Sequence, residues 1–518
     1  MSRNPQRKHT GAIVIMSLIM ALLIAGSCFM VYLCLDLVND PSDRQTGVTA
    51  QEQPTLFDRL LALLSPEKEE AARPTDPPSE TLPSEPTEET TEETTEPTLP
   101  DPEHVVSTAT IMATGDILMH MPVVDTGRQS DGTYDFSSIF RYVEPYTSEV
   151  DYSVANLETT LCGTENGYPY HGYPNFNCPD EIAYGAAGAG FDMLLTANNH
   201  SYDTGLVGYK RTIDVVHEAG MEHLGTRQNP DDPAFEIVEI NDIKIGMLCY
   251  TYAYSVDSKG SPSLNGMPHI SEAGICNYFH SGSLDAFYTE VDGYLQEMEA
   301  QGAEATMMFI HWGVEYHTNP NDEQEAIAQK LCDLGIDVIV GGHPHVIQPV
   351  DLLQSTVDPE HKTVCLYSMG NAVSNQRQGN ISQISSAHTE DGVLFSVTFS
   401  KYSDGTVHLE GTDLIPCWVN RHATYGRTEY NILPLDPATR DEWKVLYDLG
   451  DTSLNAAVRS FDRTMAIVGE GLALAQDYLA TEKTEREQYY YDLVYNPGKF
   501  LTEPTEATDP SETTVPAE

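Results

Sequence analysis

Six times along this chain a short apolar run ends in residues able to bind a metal or move a proton. Asp116 and His120 follow Ile111-Met112-Ala113-Thr114-Gly115. Asn156 and Glu158 follow Tyr152-Ser153-Val154-Ala155, and Asn198, Asn199 and His200 follow Leu194-Leu195-Thr196-Ala197. His311 follows Met308-Phe309-Ile310, while His343 and His345 follow Val338-Ile339-Val340-Gly341-Gly342. Asn371 follows Tyr367-Ser368-Met369-Gly370. The patterning predicts strands at 109–114, 152–155, 193–196, 243–250, 306–310, 338–340, 364–367 and 393–399. Helical spacing predicts helices at 181–189, 207–219, 284–300 and 322–334, with Gly220, Gly302 and Gly335 placed to end three of them. Such alternation is that of an α/β domain of layered sheet and helices. In open α/β sheets the sites lie beyond the carboxyl ends of the strands. Six hits at the same strand end therefore predict one crevice.

The residue types say what meets there. Two carboxylates, an amide and three imidazoles form a mixed oxygen and nitrogen donor set without thiolate. That favours Mn, Fe or Zn over calcium, which takes oxygen shells. Two ions about 3.5–4 Å apart can share a bridging carboxylate, as in two-metal hydrolases. His343-Pro344-His345 spaces two imidazoles two residues apart, so an extended backbone would aim both the same way. His200 directly follows Asn199, and extended neighbours point to opposite sides, so one faces metal and the other substrate. His104, His217 and His223 stand alone and read as hydrogen-bonding residues.

At these positions the chain resembles a known family. Gly115-Asp116, Asn156-Leu157-Glu158, Asn198-Asn199-His200 with Asp203 and Gly205, His311-Trp312-Gly313-Val314-Glu315-Tyr316, Gly342-His343-Pro344-His345 and Ser368-Met369-Gly370-Asn371 are similar to the successive motifs of the CapA family. Those are bacterial capsule synthesis proteins linked to poly-γ-glutamate, with a calcineurin-like metallophosphoesterase fold. The resemblance spans about 106–435, since Ile415-Pro416 and Tyr430-Asn431-Ile432-Leu433-Pro434-Leu435 look like the family's closing strands. It implies a four-layer α-β-β-α sandwich. It also implies roles: Asp116 on a first metal with His345, Glu158 as the bridge, and Asn199, His311 and His343 on a second metal. His200 would serve substrate as general acid or hydrogen-bond donor. One departure stands out. Metallophosphoesterases begin with D-x-H, whereas Ile117-Leu118 follow Asp116 here and the next histidine is His120, so a first metal that is weakly held or absent is expected.

Two functional classes follow from the resemblance. As an enzyme, the protein would use one or two divalent ions to hydrolyse a phosphoester, or an amide of a γ-linked glutamate polymer. As a surface module, it would bind or tether an anionic capsule polymer, alongside other capsule-synthesis membrane proteins.

Charge and the chain ends bear on location. Against 27 Lys+Arg stand 79 Asp+Glu among 518 residues, a formal net charge of −52, which argues against nucleic-acid partners. Arg3, Arg7 and Lys8 precede an uncharged apolar run at 12–35, long enough for a ~30 Å hydrocarbon core and longer than the ~7–15 residues of a signal peptide. A cytoplasmic segment at 1–11, a single transmembrane anchor at 12–38 and an extracellular remainder are expected. An anchor of this kind also matches family members of Gram-positive bacteria. A stalk is expected at 39–104, acidic and rich in Pro, Thr and Glu from about 66, with 56–64 as a short amphipathic helix. The catalytic-type domain is expected at 105–435, a helical region at 436–500 and an acidic disordered tail at 501–518. Of nine cysteines, Cys162 and Cys178 flank a Gly/Pro/Tyr-rich loop and are the pair to consider for a disulfide.

Overall fold

The computed structural model describes residues 102–424 and 426–500. The expected anchor, amphipathic helix, most of the stalk and the tail lie outside the described residues. Among those described, no helix is long and apolar enough to cross a membrane.

In chain order the strands are β1 Val105–Ile117, β2 Tyr152–Leu157, β3 Met193–Leu195, β4 Glu222–Leu224, β5 Glu236–Ile240 and β6 Ile243–Tyr252. A small hairpin pairs β7 Ser255–Val256 with β8 Pro262–Ser263. Then come β9 Tyr278–Phe279, β10 Ala305–His311, β11 Val338–Gly342, β12 Val350–Gln354, β13 Lys362–Leu366 and β14 Asn371–Val373. The last three are β15 Asp391–Tyr402, β16 Val407–Thr424 and β17 Arg427–Pro434. The principal helices are α1 Met121–Gly127, α2 Glu181–Gly188, α3 Gly205–Glu218, α4 Leu284–Ala300, α5 Asp322–Asp333 and α6 Asp451–Tyr495. Within the described residues, each strand and helix expected between 109 and 399 is present, within a few residues of its expected ends.

One sheet runs β17-β16-β15-β1-β2-β3-β4, with β14 also on β1, and the other runs β12-β13-β11-β10-β6-β5, with β9 on β6. The strands that carry site residues are parallel neighbours: β1 with β2, β2 with β3, and β10 with β11. Parallel strands share one carboxyl end, so their terminal residues gather at one edge.

Period-two patterning sorts side chains into layers. Along β1, Ala109, Ile111 and Ala113 face the interior shared by both sheets, where Met307 and Phe309 of β10 meet them. Met112 of β1 faces outward against Val215 and Val216 of α3 and Ile182 of α2. On the opposite side, Met308 and Ile310 of β10 pack with Ile327 and Leu331 of α5 and Val291 of α4. The layers are therefore helix, sheet, sheet, helix, as the resemblance implied. α5 shows the local logic. Asn321 and Gln324 form a reciprocal capping box, acids fill the first turn, and Gly335 at φ 91° follows the last turn.

The region at 436–500 packs back on the sandwich. α6 inserts Val468, Leu472, Ala475 and Leu479 into the shared interior, touching β16 of one sheet and β12 of the other. Its Gly471 lies so close to β12 that an added Cβ would sit 1.8 Å from the Val350 carbonyl oxygen. Polar clamps fix the helix at two points along its length. Ser460 Oγ donates to Asp391 Oδ1 at 2.6 Å and Arg463 Nε to Oδ2 at 2.8 Å, while Arg486 and Lys483 hold Glu410 at 2.7 and 3.2 Å.

The seven described cysteines are buried free thiols. Cys162 and Cys178 are thus not joined. Each takes its place in the packing instead, Cys178 in the layer beneath α2.

Candidate metal centre

The strand ends bring the expected donors together. Asp116, Glu158 and His345 form one group and Glu158, His311 and His343 another, with each group's donor atoms within 4.8 Å of one another and all five residues buried. Glu158 belongs to both. His345 Nδ1 lies 3.0 Å from Asp116 Oδ2 and 3.8 Å from Glu158 Oε2, and His311 Nε2 lies 3.4 Å from Glu158 Oε1. Asn199 Oδ1 sits 2.8 Å from His311 Nε2, on the second group's side.

The backbone at His343-Pro344-His345 is not extended. His343 has φ 94° and His345 φ 57°, left-handed conformations rare for residues with a Cβ. The turn after β11 sends the two imidazoles to different groups, their centroids 6.0 Å apart. Neighbouring segments hold this geometry. Tyr316 N donates to the Pro344 carbonyl at 2.7 Å, and Asn371 Nδ2 to the His345 carbonyl at 3.1 Å. Asn371 therefore supports a donor from behind. Gly342 leaves room for the site, since a Cβ there would sit 3.2 Å from Asp116 Oδ1 and 3.4 Å from His311 Nδ1.

Asn199 and His200 do part company as expected, though in a turn and not along a strand. His200 Nδ1 meets Asp203 Oδ2 at 2.7 Å, and its Nε2 points inward, 3.9 Å from Glu158 Oε1. A carboxylate accepts only, so Nδ1 carries the proton and Nε2 a lone pair in the neutral ring. Asp203 also takes the Phe176 backbone N–H at 2.7 Å and the Asn265 amide at 2.8 Å. Asn265 escaped the sequence reading. Its Asn-Gly dipeptide marks a turn but carries no sign of the contact with Asp203. Asn156 and Asn198 form a supporting chain: Asn198 Nδ2 donates to Asn156 Oδ1, and Asn156 Nδ2 to Asp116 Oδ1 at 2.7 Å. His217 and His223 pair with each other at 2.8 Å outside both donor groups, as hydrogen-bonding residues do.

His120 belongs to neither donor group. It is buried, its Nδ1 has no partner, and its ring lines the pocket beside the centre. Phe176 stands edge-on to both His120 and His200, with centroids 5.3 and 4.7 Å away.

Electrostatics match a site built around positive charge. Burial drives the Glu158 carboxyl well above its ordinary range, and the Asp116 and Glu315 charges add to it. Burial also pushes Asp116 up, but the His345 hydrogen bond and the nearby imidazoles outweigh it, so Asp116 falls below its usual value. Burial holds His343 far below the ordinary imidazole value, takes His311 to about 3 and takes His120 to about 4. Neutral imidazoles with free lone pairs are the form that binds metals. Both oxygens of Glu158 and Nδ1 of His343 are buried without a hydrogen-bond partner. An uncompensated buried carboxylate is costly, and a cation between the two donor groups would satisfy these atoms together. The donors fit one or two divalent ions.

The family model described as "Bacterial capsule synthesis protein PGA_cap" matches residues 110–376, just over half the chain and all of the centre's donors. The chain belongs to this family. It is 28% identical over 279 residues to the "Capsule biosynthesis protein CapA" of Bacillus anthracis, covering 52% of this chain and 60% of that protein. It is also 28% identical over 302 residues to the "PGA biosynthesis protein CapA" of Bacillus subtilis, covering 58% and 70%. The match thus takes in less than two thirds of the first relative's length. Among solved structures, a putative 5′-nucleotidase from Staphylococcus aureus in complex with α-ketoglutarate aligns with TM-score 0.35 at 16% identity, over 66% of this chain and 58% of that one. The NAD nucleotidase of Haemophilus influenzae aligns with TM-score 0.34 at 12% identity, over 74% and 68%. The PGA_cap match ends before β15, so β15–β17 and α6 lie beyond it.

Proposed function

We propose that this PGA_cap protein is a metal-dependent hydrolase of capsule-polymer biosynthesis, cleaving a phosphoester, and that residues 12–38 anchor it with the domain outside the cell. The observation that carries the reading is the Glu158 carboxylate, buried and unpartnered between two donor groups that it shares. Such an arrangement is expensive unless charge is supplied to it. Asp116 and His345 would hold one ion, His311, His343 and Asn199 the other, and Glu158 both. When bound, divalent ions there would supply Lewis acidity and would bring the pKa of a water toward ~7.

The chain's own groups supply the rest. Asp203 fixes the His200 tautomer, so Nε2 is the atom that receives or returns a proton beside the substrate. Phe176 and Leu118 give the pocket beside that atom apolar lining. Asn371 and the 312–316 segment keep His345 and His343 in place. The capsule role is supported by the two Bacillus relatives, which are named for capsule and PGA biosynthesis.

The test joins metal content with hydrolysis of bis(p-nitrophenyl) phosphate. Wild type should carry up to two equivalents of metal and turn over. His200→Ala should keep its metal and lose ~10²–10⁴-fold in turnover. A metal-free, inactive wild type would leave the protein a polymer-binding module. For location, protease shaving of intact cells should release the domain, and its full protection would reject the anchor reading.

A further inference from the structure

Beside the centre lies a pocket of about 300 Å³, within the ~300–1,000 Å³ of small-molecule sites. His200 and His345 form its inner wall, and His120 and Phe176 flank them. Its outer wall comes from the segment after β14, through Asn375, Asn380, Ile381 and Gln383. Tyr173 and Tyr316 complete it, with Tyr173 73% exposed at the rim.

The composition of this lining is specific. No Lys or Arg takes part among the described residues. Arg377, which lies in the same segment, is committed to Glu390 at 2.7 Å and to the Val419 carbonyl. The one carboxylate of the wall is that of Glu315, 3.9 Å from His345 Nε2. The remaining polar groups are neutral. Side-chain amides both donate and accept, and phenols do the same. Asn375 uses its carbonyl oxygen on Tyr430, and Gln383 accepts from Ser382, so the NH₂ groups of both have no partner among the described residues. The buried His120 Nδ1 also lacks one.

A polyanion with one free carboxylate per unit would meet no Lys or Arg along this wall and one like charge, that of Glu315. It would also have to lose hydration with only neutral donors to compensate it, which is costly for an ion. A hydroxyl-rich, uncharged ring suits the wall better. Its hydroxyls can pair with amides that donate and accept, and its C–H faces can lie on the tyrosine rings. We infer that this pocket holds a neutral sugar unit, so that the bond cleaved at the centre joins an anionic phosphoryl group to an uncharged glycan. This deepens the hydrolase reading and rests on it for the bond cleaved, while the pocket's preference stands on its own lining.

Binding to full-length protein tests the preference, measured by calorimetry in EDTA so that neither metal nor turnover contributes. The probes are neutral tetrasaccharides of hexose and N-acetylhexosamine, a uronate tetrasaccharide and a γ-glutamyl tetramer. At least one neutral tetrasaccharide should bind with a Kd below about 1 mM and more tightly than either anionic probe. Tyr173→Ala and Asn380→Ala, both at exposed positions, should each weaken it about tenfold, with circular dichroism confirming the fold. Tighter binding of an anionic probe, no neutral binding, or binding indifferent to both variants would overturn the inference. A metal-free or inactive protein that still shows the neutral preference would refute the hydrolase reading alone.

Discussion

Glu158→Gln should have opposite consequences with and without metal. The side chain is fully buried, and both oxygens lack a donor. In metal-free protein, burial and the Asp116 charge oppose its ionisation. Glutamine keeps the shape, removes the charge and offers an NH₂ to the Asp116 carboxylate. The metal-free variant should therefore melt at the wild-type temperature or above it. With metal the order reverses. An ion at about a thousand times its Kd stabilises the folded state by ~4 kcal/mol. Unfolding entropy of ~2.1 cal/mol/K per residue over ~400 residues makes that a rise of ~5 °C. Wild type should show such a rise on adding Mn²⁺ after EDTA, and Glu158→Gln should lose most of it, since a ligand of both donor groups is gone. Differential scanning calorimetry reads both arms. A variant several degrees less stable in EDTA would mean that Glu158 is a structural residue. An undiminished Mn²⁺ shift would mean that it is not a ligand.

Three further outcomes are expected. His343→Ala should lower metal content by elemental analysis while leaving the far-ultraviolet circular dichroism spectrum of the sheets intact; wild-type occupancy would remove His343 from the ligands. Gly471→Ala should destabilise by ~1–3 kcal/mol, seen as a lower urea midpoint, because the new methyl meets the Val350 carbonyl; an unchanged midpoint would mean that α6 shifts freely over β12. In EDTA, His120 is held neutral down to about 4 against an ordinary 6.5, so its contribution is complete above about 6.5 and is lost as pH falls toward 4. Between pH 7 and 5 wild type should lose ~2 kcal/mol more than His120→Phe, in which no imidazole can charge; equal losses would mean that His120 is hydrated.

Much of this was readable in the order of residues, for identifiable reasons. Strands such as β10 alternate Met307 and Phe309 inward with Met308 and Ile310 outward, and both faces are covered, so they stand out as apolar runs. Because parallel strands end together, Asp116, Glu158, His311 and His343 could be grouped without coordinates. Backbone shape was less accessible. The left-handed turn at His343 and His345 is imposed by Tyr316 and Asn371, from segments on either side in sequence, and an extended reading of the tripeptide misses it. The pocket wall at 375–383 has no periodicity to announce it. Asn265 reaches Asp203 from a turn more than sixty residues on, a contact that only the assembled fold creates. The placement of α6 was equally hidden, since its inward residues are interrupted by charges that find partners on β15 and β16.

The clamp between α6 and Asp391 has a consequence in time. A chain is made from its N-terminal end, and domains fold as their parts emerge. Ile111 of β1 waits for Val397 of β15 across the sheet, and the 387–391 segment that supports Asn371 waits for Arg463. The donors Asp116 and Glu158 are therefore synthesised early but confined late. A chain that ends before α6 carries every candidate ligand but lacks the helix that clamps the 387–391 segment, and it should retain less metal than the full chain.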